Sequence, residues 1–390
     1  MGTLVHMKVI IVGGGILGTS HARAAIERGH EVLLLERERE ARGATVRNFG
    51  LVWVSGRSAT ELPAAQRSRD LWEKIGADVP GIGFRPCGSI TLVRTAAELA
   101  VAEETLAQGD SAEREFTLLD PAEVRAINPA LQGTYVAGLH CARDGAVESR
   151  VALPALRRFL STTGRFEYLG GREVRSVTST SGTVEVTDDT GATHRGDAVV
   201  VCTGASHSGL LRELVGEQPP VRRVRLQMMQ TAPFDEKLTT AIADGDSFRY
   251  YPAFAGDALD HLGRVQSQSP VAAEHHMQLL CVQRLDGGLT IGDTHAYDRT
   301  ADGDDADIFG FDVTEDPYQH LVSVVENLLG RRLPPIARRW AGVYSQCLDS
   351  SELLYRSEVS PGVWVVTGPG GRGMTLGPAI GDDTADLMNL

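Results

Sequence analysis

Short apolar runs and helix-like stretches alternate at the start of the chain. Lys8–Val12 (KVIIV) is β-branched and unbroken by polar residues, which predicts a strand buried on both faces. Gly13-Gly14-Gly15 interrupts it, residues 16–28 have helical composition, and Gly29 is a natural helix stop. A second buried strand follows at 31–35 (EVLLL) and ends on Glu36. These segments form a βαβ unit. Further along, helices are expected at 62–75, at 96–108, from Asp120-Pro121 (Pro suits the first helical position), at 151–160 and at 318–329. Strands are expected at Ser89–Val93, 173–176, 183–187, 197–202 (DAVVVC) and 362–367 (GVWVVT), with a turn at 188–191. Residues 219–291 read as β-rich and irregular, and 298–307 as an acidic loop. The chain closes on the glycine-rich stretch 368–377 and a terminal helix.

Composition narrows the class. Hydrophobic residues make up 42% of the 390, enough to fill a core. The formal net charge of −13 argues against a nucleic-acid partner and against docking on anionic lipid. No apolar run reaches the ~20 residues that span a bilayer, and MGTLVHMKVIIVGGG shows no signal-peptide pattern. Cys87, Cys141, Cys202, Cys281 and Cys347 are scattered, without CxxC, and read as reduced thiols. A cytoplasmic protein is expected. No metal site is expected either: His275 and His276 are adjacent, so their side chains diverge.

GxGxxG by itself is a weak signal, but its setting here is specific. It follows a strand, opens a helix, and has an acid at the end of the next strand. Gly13 permits the tight turn, Gly15 lets backbone amides approach a pyrophosphate, and Gly18 lets helix and strand pack closely. Ile16 and Leu17 begin the helix whose N-terminus faces the phosphates. Glu36 would accept from ribose hydroxyls. The second strand runs on into 42–50 (RGATVRNFG) rather than into further parallel units, and another strand–Thr-Gly element lies far away at 199–204. That arrangement suits FAD, a long cofactor that threads remote segments, better than NAD.

The stretches VIIVGGGILGTSHARAAIERGHEVLLLER, GATVRNFG, VVVCTGA and VTGPGGRGMTLGPAIG resemble the D-amino-acid oxidase, glycine oxidase and sarcosine oxidase superfamily of flavoproteins. GATVRNFG and SFRYYPAF are similar to the FAD oxidoreductases associated with aminophosphonate catabolism. The resemblance implies an α/β fold in which a Rossmann-like FAD-binding domain of the GR2 type is interleaved with a β-rich α+β substrate domain. The FAD-binding domain would comprise 1–83, 141–218 and 341–390, and the substrate domain 84–140 and 219–340.

On that resemblance, Glu36 and Arg37 bind the adenosine ribose. Ala44, Thr45, Arg47, Asn48, Phe49 and Gly50 pass along the pyrophosphate and flavin, Val174 meets adenine, and Thr203-Gly204 lies against the phosphate–ribose stretch. Gly371, Gly373, Met374 and Thr375 approach the flavin ring, where backbone amides stabilise negative charge. Some sarcosine oxidases attach FAD to a cysteine near the stretch corresponding to 340–344. None is present there (WAGVY), so FAD is expected to be non-covalent.

The expected reaction is hydride transfer from the carbon beside nitrogen to flavin N5. The resulting imine hydrolyses, and O2 or another acceptor reoxidises the flavin. The neutral amine is the reactive form, so no dedicated base is strictly needed. Glycine and D-amino-acid oxidases hold the substrate carboxylate with an arginine in the segment matching 340–345, where this chain has Tyr344. The anion is then left to Arg47, Arg249 or Arg372, and a phosphonate would suit several such donors. Tyr344 could replace the missing donor with a hydroxyl. Tyr250 and Tyr251 are consecutive, so in a strand only one would face the pocket, Tyr251 being preferred. His295, in IGDTHAY, would hold a polar substrate group. The substrate is thus a small primary or secondary amine, an aminophosphonate or N-methylated amine among them. A 2-hydroxy-acid dehydrogenase with His295 as base and a non-catalytic flavin-binding protein are the alternatives.

Overall fold

The computed structural model describes residues 6–180, 182–306 and 309–390. The first five residues and Asp307, at the end of the acidic loop, lie outside them. Six strands form the first sheet, in the order Tyr355–Ser360, Val363–Thr367, Ala198–Val201, Lys8–Val12, Glu31–Glu36, Phe166–Gly170. All its pairings are parallel except the Tyr355–Ser360 edge. Val9 pairs Val32 on one side and Ala198 on the other. Both faces are covered, which is why the four inner strands are near-continuous apolar runs rather than alternating ones.

On one face lie the helices Ile16–Glu27, Leu62–Asp78 and Gly373–Leu387. The first and last of these touch backbone to backbone: a Cβ on Gly381 would sit 2.7 Å from the Ser20 carbonyl carbon. Trp72 donates its indole N–H to the Met374 carbonyl at 2.8 Å. The other face is covered by the antiparallel meander Val174–Thr180, Thr183–Asp188, Thr193–Gly196, whose Val184 and Val186 pack on Ile10, Leu33 and Val199.

A second sheet of nine strands stands beside the first, built on the long antiparallel pair Val221–Pro233 and Ile336–Cys347. Its two faces differ along a single strand, as period-2 alternation requires. Met229 packs under the helix Asp316–Leu329 with Tyr318, Leu321 and Leu328. Val224, Leu226 and Met228 point the other way, toward Phe49, Tyr251 and Tyr344. The strand Ile336–Cys347 runs through the division expected at 341 and stays with this sheet to its end.

Predicted and observed elements agree closely, the helix at Pro121–Ile127 carrying a full capping box between Asp120 and Glu123. The reading missed the strands Phe166–Gly170, Thr193–Gly196 and Tyr355–Ser360, whose sequences are polar on an edge or a meander. Within the β-rich stretch, Ser247–Tyr250, Asp257–Val265 and Pro270–Glu274 are helical. Among the described residues no helix is long and apolar enough to cross a membrane.

Candidate functional site

A cavity of about 1380 Å³ runs from the glycine motif between the two sheets. It exceeds the ~300–1,000 Å³ typical of a small-ligand pocket, leaving room for a dinucleotide and a substrate together. At its outer end the sequence dictates the geometry. Gly13 has φ +102°, and a Cβ there would lie 2.2 Å from the Cys202 carbonyl oxygen. A Cβ on Gly18 would lie 1.9 Å from the Gly13 oxygen, so the turn and the helix start require glycine at both positions. The Glu36 carboxylate accepts from the Gly14 N–H at 2.6 Å and the Glu38 N–H at 3.0 Å, and each oxygen keeps a lone pair for a further donor. Ile16 donates its N–H to Thr45 Oγ1 at 3.0 Å, tying the 44–50 loop to the helix N-terminus.

The cofactor residues named from the sequence line this cavity: Gly13, Gly15, Ile16, Leu17, Gly18, Glu36, Arg37, Ala44, Thr45, Arg47, Asn48, Phe49, Val174, Thr203, Gly204, Gly371, Gly373, Met374 and Thr375. Gly50 does not. Its φ is +75°, and a Cβ would meet the Val147 oxygen at 2.0 Å, so its place is in a tight turn behind the wall. The donor set fits FAD. Thr203 Oγ1 is buried on the wall without a hydrogen-bond partner among the described residues, as expected of a group awaiting a phosphate or ribose oxygen. The N-terminus of the helix Gly373–Leu387 opens on the inner end, where its unpaired N–H groups favour negative charge. Thr375, fully buried there, accepts from the Trp53 N–H at 2.9 Å.

The inner end lies against the second sheet. Tyr250 and Tyr251 are not in a strand. They end the short helix Ser247–Tyr250, so both rings face the cavity, meeting edge-to-face at 5.1 Å. Tyr250 stacks on His295 with centroids 4.4 Å apart, and its hydroxyl lies 3.4 Å from that of Tyr344. Tyr251 accepts from Gln278 Nε2 at 3.2 Å, which leaves its own O–H to donate. Burial raises the pKa of all three phenols, so they act as neutral donors. His295 Nδ1 donates to the His276 carbonyl at 2.9 Å, which makes Nε2 an acceptor. Burial lowers this imidazole to about 4, and it is neutral at physiological pH.

The arginines named from the sequence all border the cavity but are differently occupied. Arg372 spends Nε on the Pro369 carbonyl, Nη1 on Glu61, and Nη2 on the Glu352 and Leu353 carbonyls. Arg249 is held by Asp246 at 3.2 Å and by the Gln266 carbonyl at 2.5 Å. Arg47 donates to the Arg42 and Ala341 carbonyls at 2.9 and 3.0 Å. Each is a strut of the wall.

Sequence reasoning missed Arg57 and Asp293. Arg57 is 5% exposed, its Nε is buried without a partner among the described residues, and its guanidinium sits 5.4 Å from the Tyr251 ring centroid. Burial lowers its pKa, with Glu61 and Tyr251 pulling the other way. Its loop is pinned from below by Asp144, which accepts from the Val54 and Ser55 N–H groups (2.6 and 2.9 Å) and from the Ser55 and Ser89 hydroxyls (both 2.6 Å). Arg114 takes the Val54 and Ser55 carbonyls at 3.1 Å each. Gly56 lets the Tyr251 ring close over the loop, since a Cβ would come within 2.7 Å of it. The signal available in the sequence was an arginine three residues past an apolar run (LVWVSGR). For Asp293 it was a carboxylate at the end of GLTIGD, two residues before His295.

The family described as "DAO: FAD dependent oxidoreductase" matches residues 8–387. An opine oxidase subunit of Rhizobium meliloti is 25% identical over 190 residues, covering 46% of this chain and about half (51%) of that protein. The corresponding opine oxidase protein of Agrobacterium tumefaciens (strain Ach5) is 23% identical over 391 residues, covering 93% and 88%. Among solved structures, glycine oxidase from Geobacillus kaustophilus superposes with a TM-score of 0.75 at 20% identity, over 98% of this chain and 95% of that one.

Proposed function

The chain belongs to the DAO family of FAD-dependent oxidoreductases, and from that premise we propose that it oxidises a small primary or secondary amine carrying an anionic group. The observation that carries this reading is Arg57: a buried guanidinium, unpaired at Nε, at the same end of the cavity as Gly371–Thr375. Glu61 acts on Arg57 through its charge but is hydrogen-bonded to Arg372, and a carboxylate or phosphonate on the substrate would give the Arg57 guanidinium a bidentate partner of its own. The relatives are named for opine oxidation and the solved neighbour for glycine oxidation, which agrees with an amine bearing an anion.

When bound, FAD supplies the two-electron acceptor for the C–H bond beside the substrate nitrogen. The chain's own residues do the rest. Arg57 anchors the anion, and the Tyr250, Tyr251 and Tyr344 rings exclude water and offer hydroxyls that fix the substrate's tilt. The N-terminus of the helix Gly373–Leu387 places positive potential beside the reacting end. FAD is held without a covalent bond: among the described residues Cys202 is the cysteine on the cavity wall, and burial raises its thiol pKa. The neutral His295, with Nε2 free to accept, suits a hydroxyl substrate as well, so oxidation of a 2-hydroxy acid is the second reading.

Anaerobic mixing of the holoenzyme with glycine, N-methylglycine, aminomethylphosphonate and lactate separates the two. Bleaching of the flavin by one of the amines is expected. Bleaching by lactate alone would establish the second reading and end the first.

A further inference from the structure

Asp293 is 5% exposed and lines the inner cavity. Its Oδ1 is buried and has no hydrogen-bond partner among the described residues. Oδ2 lies 4.0 Å from His295 Nε2, a nitrogen that carries a lone pair and so offers the carboxylate no proton. The groups facing it come from every side of the pocket: Tyr250 and Tyr251 from their helix turn, Arg57 from the pinned loop, Tyr344 from its long strand, and His295 and Tyr297 from its own segment. Arg57 and Asp293 both lie near enough to the Tyr250 and Tyr251 phenols to shift them, in opposite senses. The inner cavity therefore presents one buried cation and one buried carboxyl beside the same pair of rings, each with a buried atom, Arg57 Nε and Asp293 Oδ1, that has no hydrogen-bond partner among the described residues. That is the complement of a zwitterion.

We propose that Asp293 is the proton acceptor of the site: its carboxylate holds the protonated nitrogen of the substrate, takes one N–H proton, and leaves the nitrogen lone pair free. The inference rests on the amine reading above. An N–H bond breaks and an O–H bond forms; the ammonium becomes a neutral amine, the carboxylate a carboxylic acid, and no electrons change hands. Burial supports the direction of transfer. It raises Asp293 to about 8, with Gln278 pulling back, which makes this carboxylate a stronger base than an ordinary one and narrows the gap to the substrate's ammonium. His295, lowered to about 4, is too weak a base for the task. A base is most effective when its pKa lies near the operating pH.

The test is Asp293→Asn in the holoenzyme, with flavin reduction by the amine that bleaches wild type followed from pH 6 to pH 10. Wild type should show the limb of kcat/KM near the titration of Asp293. In the variant that limb should move to the pKa of the substrate's own ammonium, with rates falling about tenfold per pH unit below it. At high pH, where the amine arrives already neutral, the variant should recover to within about threefold of wild type. A uniform loss at every pH, or an unchanged profile, would overturn the proposal. If lactate rather than an amine bleaches the wild-type flavin, the amine reading fails and this inference with it. An amine that bleaches the variant with an unshifted profile removes the inference alone.

Should the Asn variant not retain flavin, wild type tests the same point. Trimethylglycine carries a fixed positive charge, and 3,3-dimethylbutyrate is its isostere with an uncharged carbon in place of that nitrogen. The ratio of their affinities, read from the flavin spectrum, should rise toward trimethylglycine as Asp293 ionises. A ratio independent of pH would overturn the proposal.

Discussion

Arg47, Arg57, Arg249 and Arg372 border the cavity, and occupancy rather than proximity separates them. Arg372 is paired to Glu61 and to three carbonyls, whereas Arg57 leaves Nε unpaired. The two substitutions should therefore fail in different ways. Arg57→Met should leave folding intact and raise the apparent KM of the anionic amine. A charge-assisted hydrogen bond of ~1.5–3 kcal/mol corresponds to roughly 10- to 150-fold. Arg372→Met should cost on the order of 3 kcal/mol of stability, because it strips Glu61 of a partner inside the wall. The pH dependence follows from Glu61. Burial pushes its pKa up, but Arg57 and Arg372 more than offset this, and the folded value lies below the ordinary one. Its contribution is thus present above the unfolded carboxyl pKa of ~4.3 and is lost as pH falls through the lower folded value. Urea titrations of the Arg372 variant and wild type at pH 7 and pH 3 should show the difference between them shrinking in acid.

At the scale of elements, the segment that carries Arg57 has almost no regular structure, yet it is fixed as firmly as a strand. Asp144 takes four donors from Val54, Ser55 and Ser89, and Ser89 belongs to the second sheet. This one buried carboxylate couples the loop that carries Arg57 to the second sheet, which lines the inner end of the cavity. Asp144→Ala leaves those donors unsatisfied at ~1–3 kcal/mol each. It should lower the melting temperature and, in whatever folded protein remains, raise the KM for the amine through a displaced Arg57. Calorimetry together with steady-state kinetics would check both effects. A variant as stable as wild type would mean that the loop is held by Arg114 and packing alone.

At the scale of the molecule, the cavity that would take FAD lies in the seam between the two sheets, so a cofactor bound there should hold them together. A ligand that binds only the native state stabilises it by RT ln(1 + [L]/Kd), about 2.7 kcal/mol at a hundredfold excess over Kd. Removing flavin should therefore lower the unfolding temperature, and added FAD should restore it in a concentration-dependent way. Acid precipitation should release the flavin to the supernatant. Yellow protein in the pellet would show a covalent link.

The βαβ unit, the turn at Gly13 and Gly18 and the acid Glu36 were legible in the chain, because each is set by local rules: a glycine where a Cβ has no room, an acid at a strand end. The Gly371–Thr375 segment was reached through the family resemblance. Only the tertiary structure decided how the inner end of the cavity is arranged. Whether an arginine is free or tied depends on carbonyls as remote in sequence as Glu352 and Leu353. The reading of Tyr250 and Tyr251 as strand neighbours failed because one turn of helix, held within the second sheet, turns both rings to the same space. Asp293 and Arg57 carry no motif at all. Their chemistry arises from burial and from the want of a partner, and those are properties of the packed molecule that no residue states by itself.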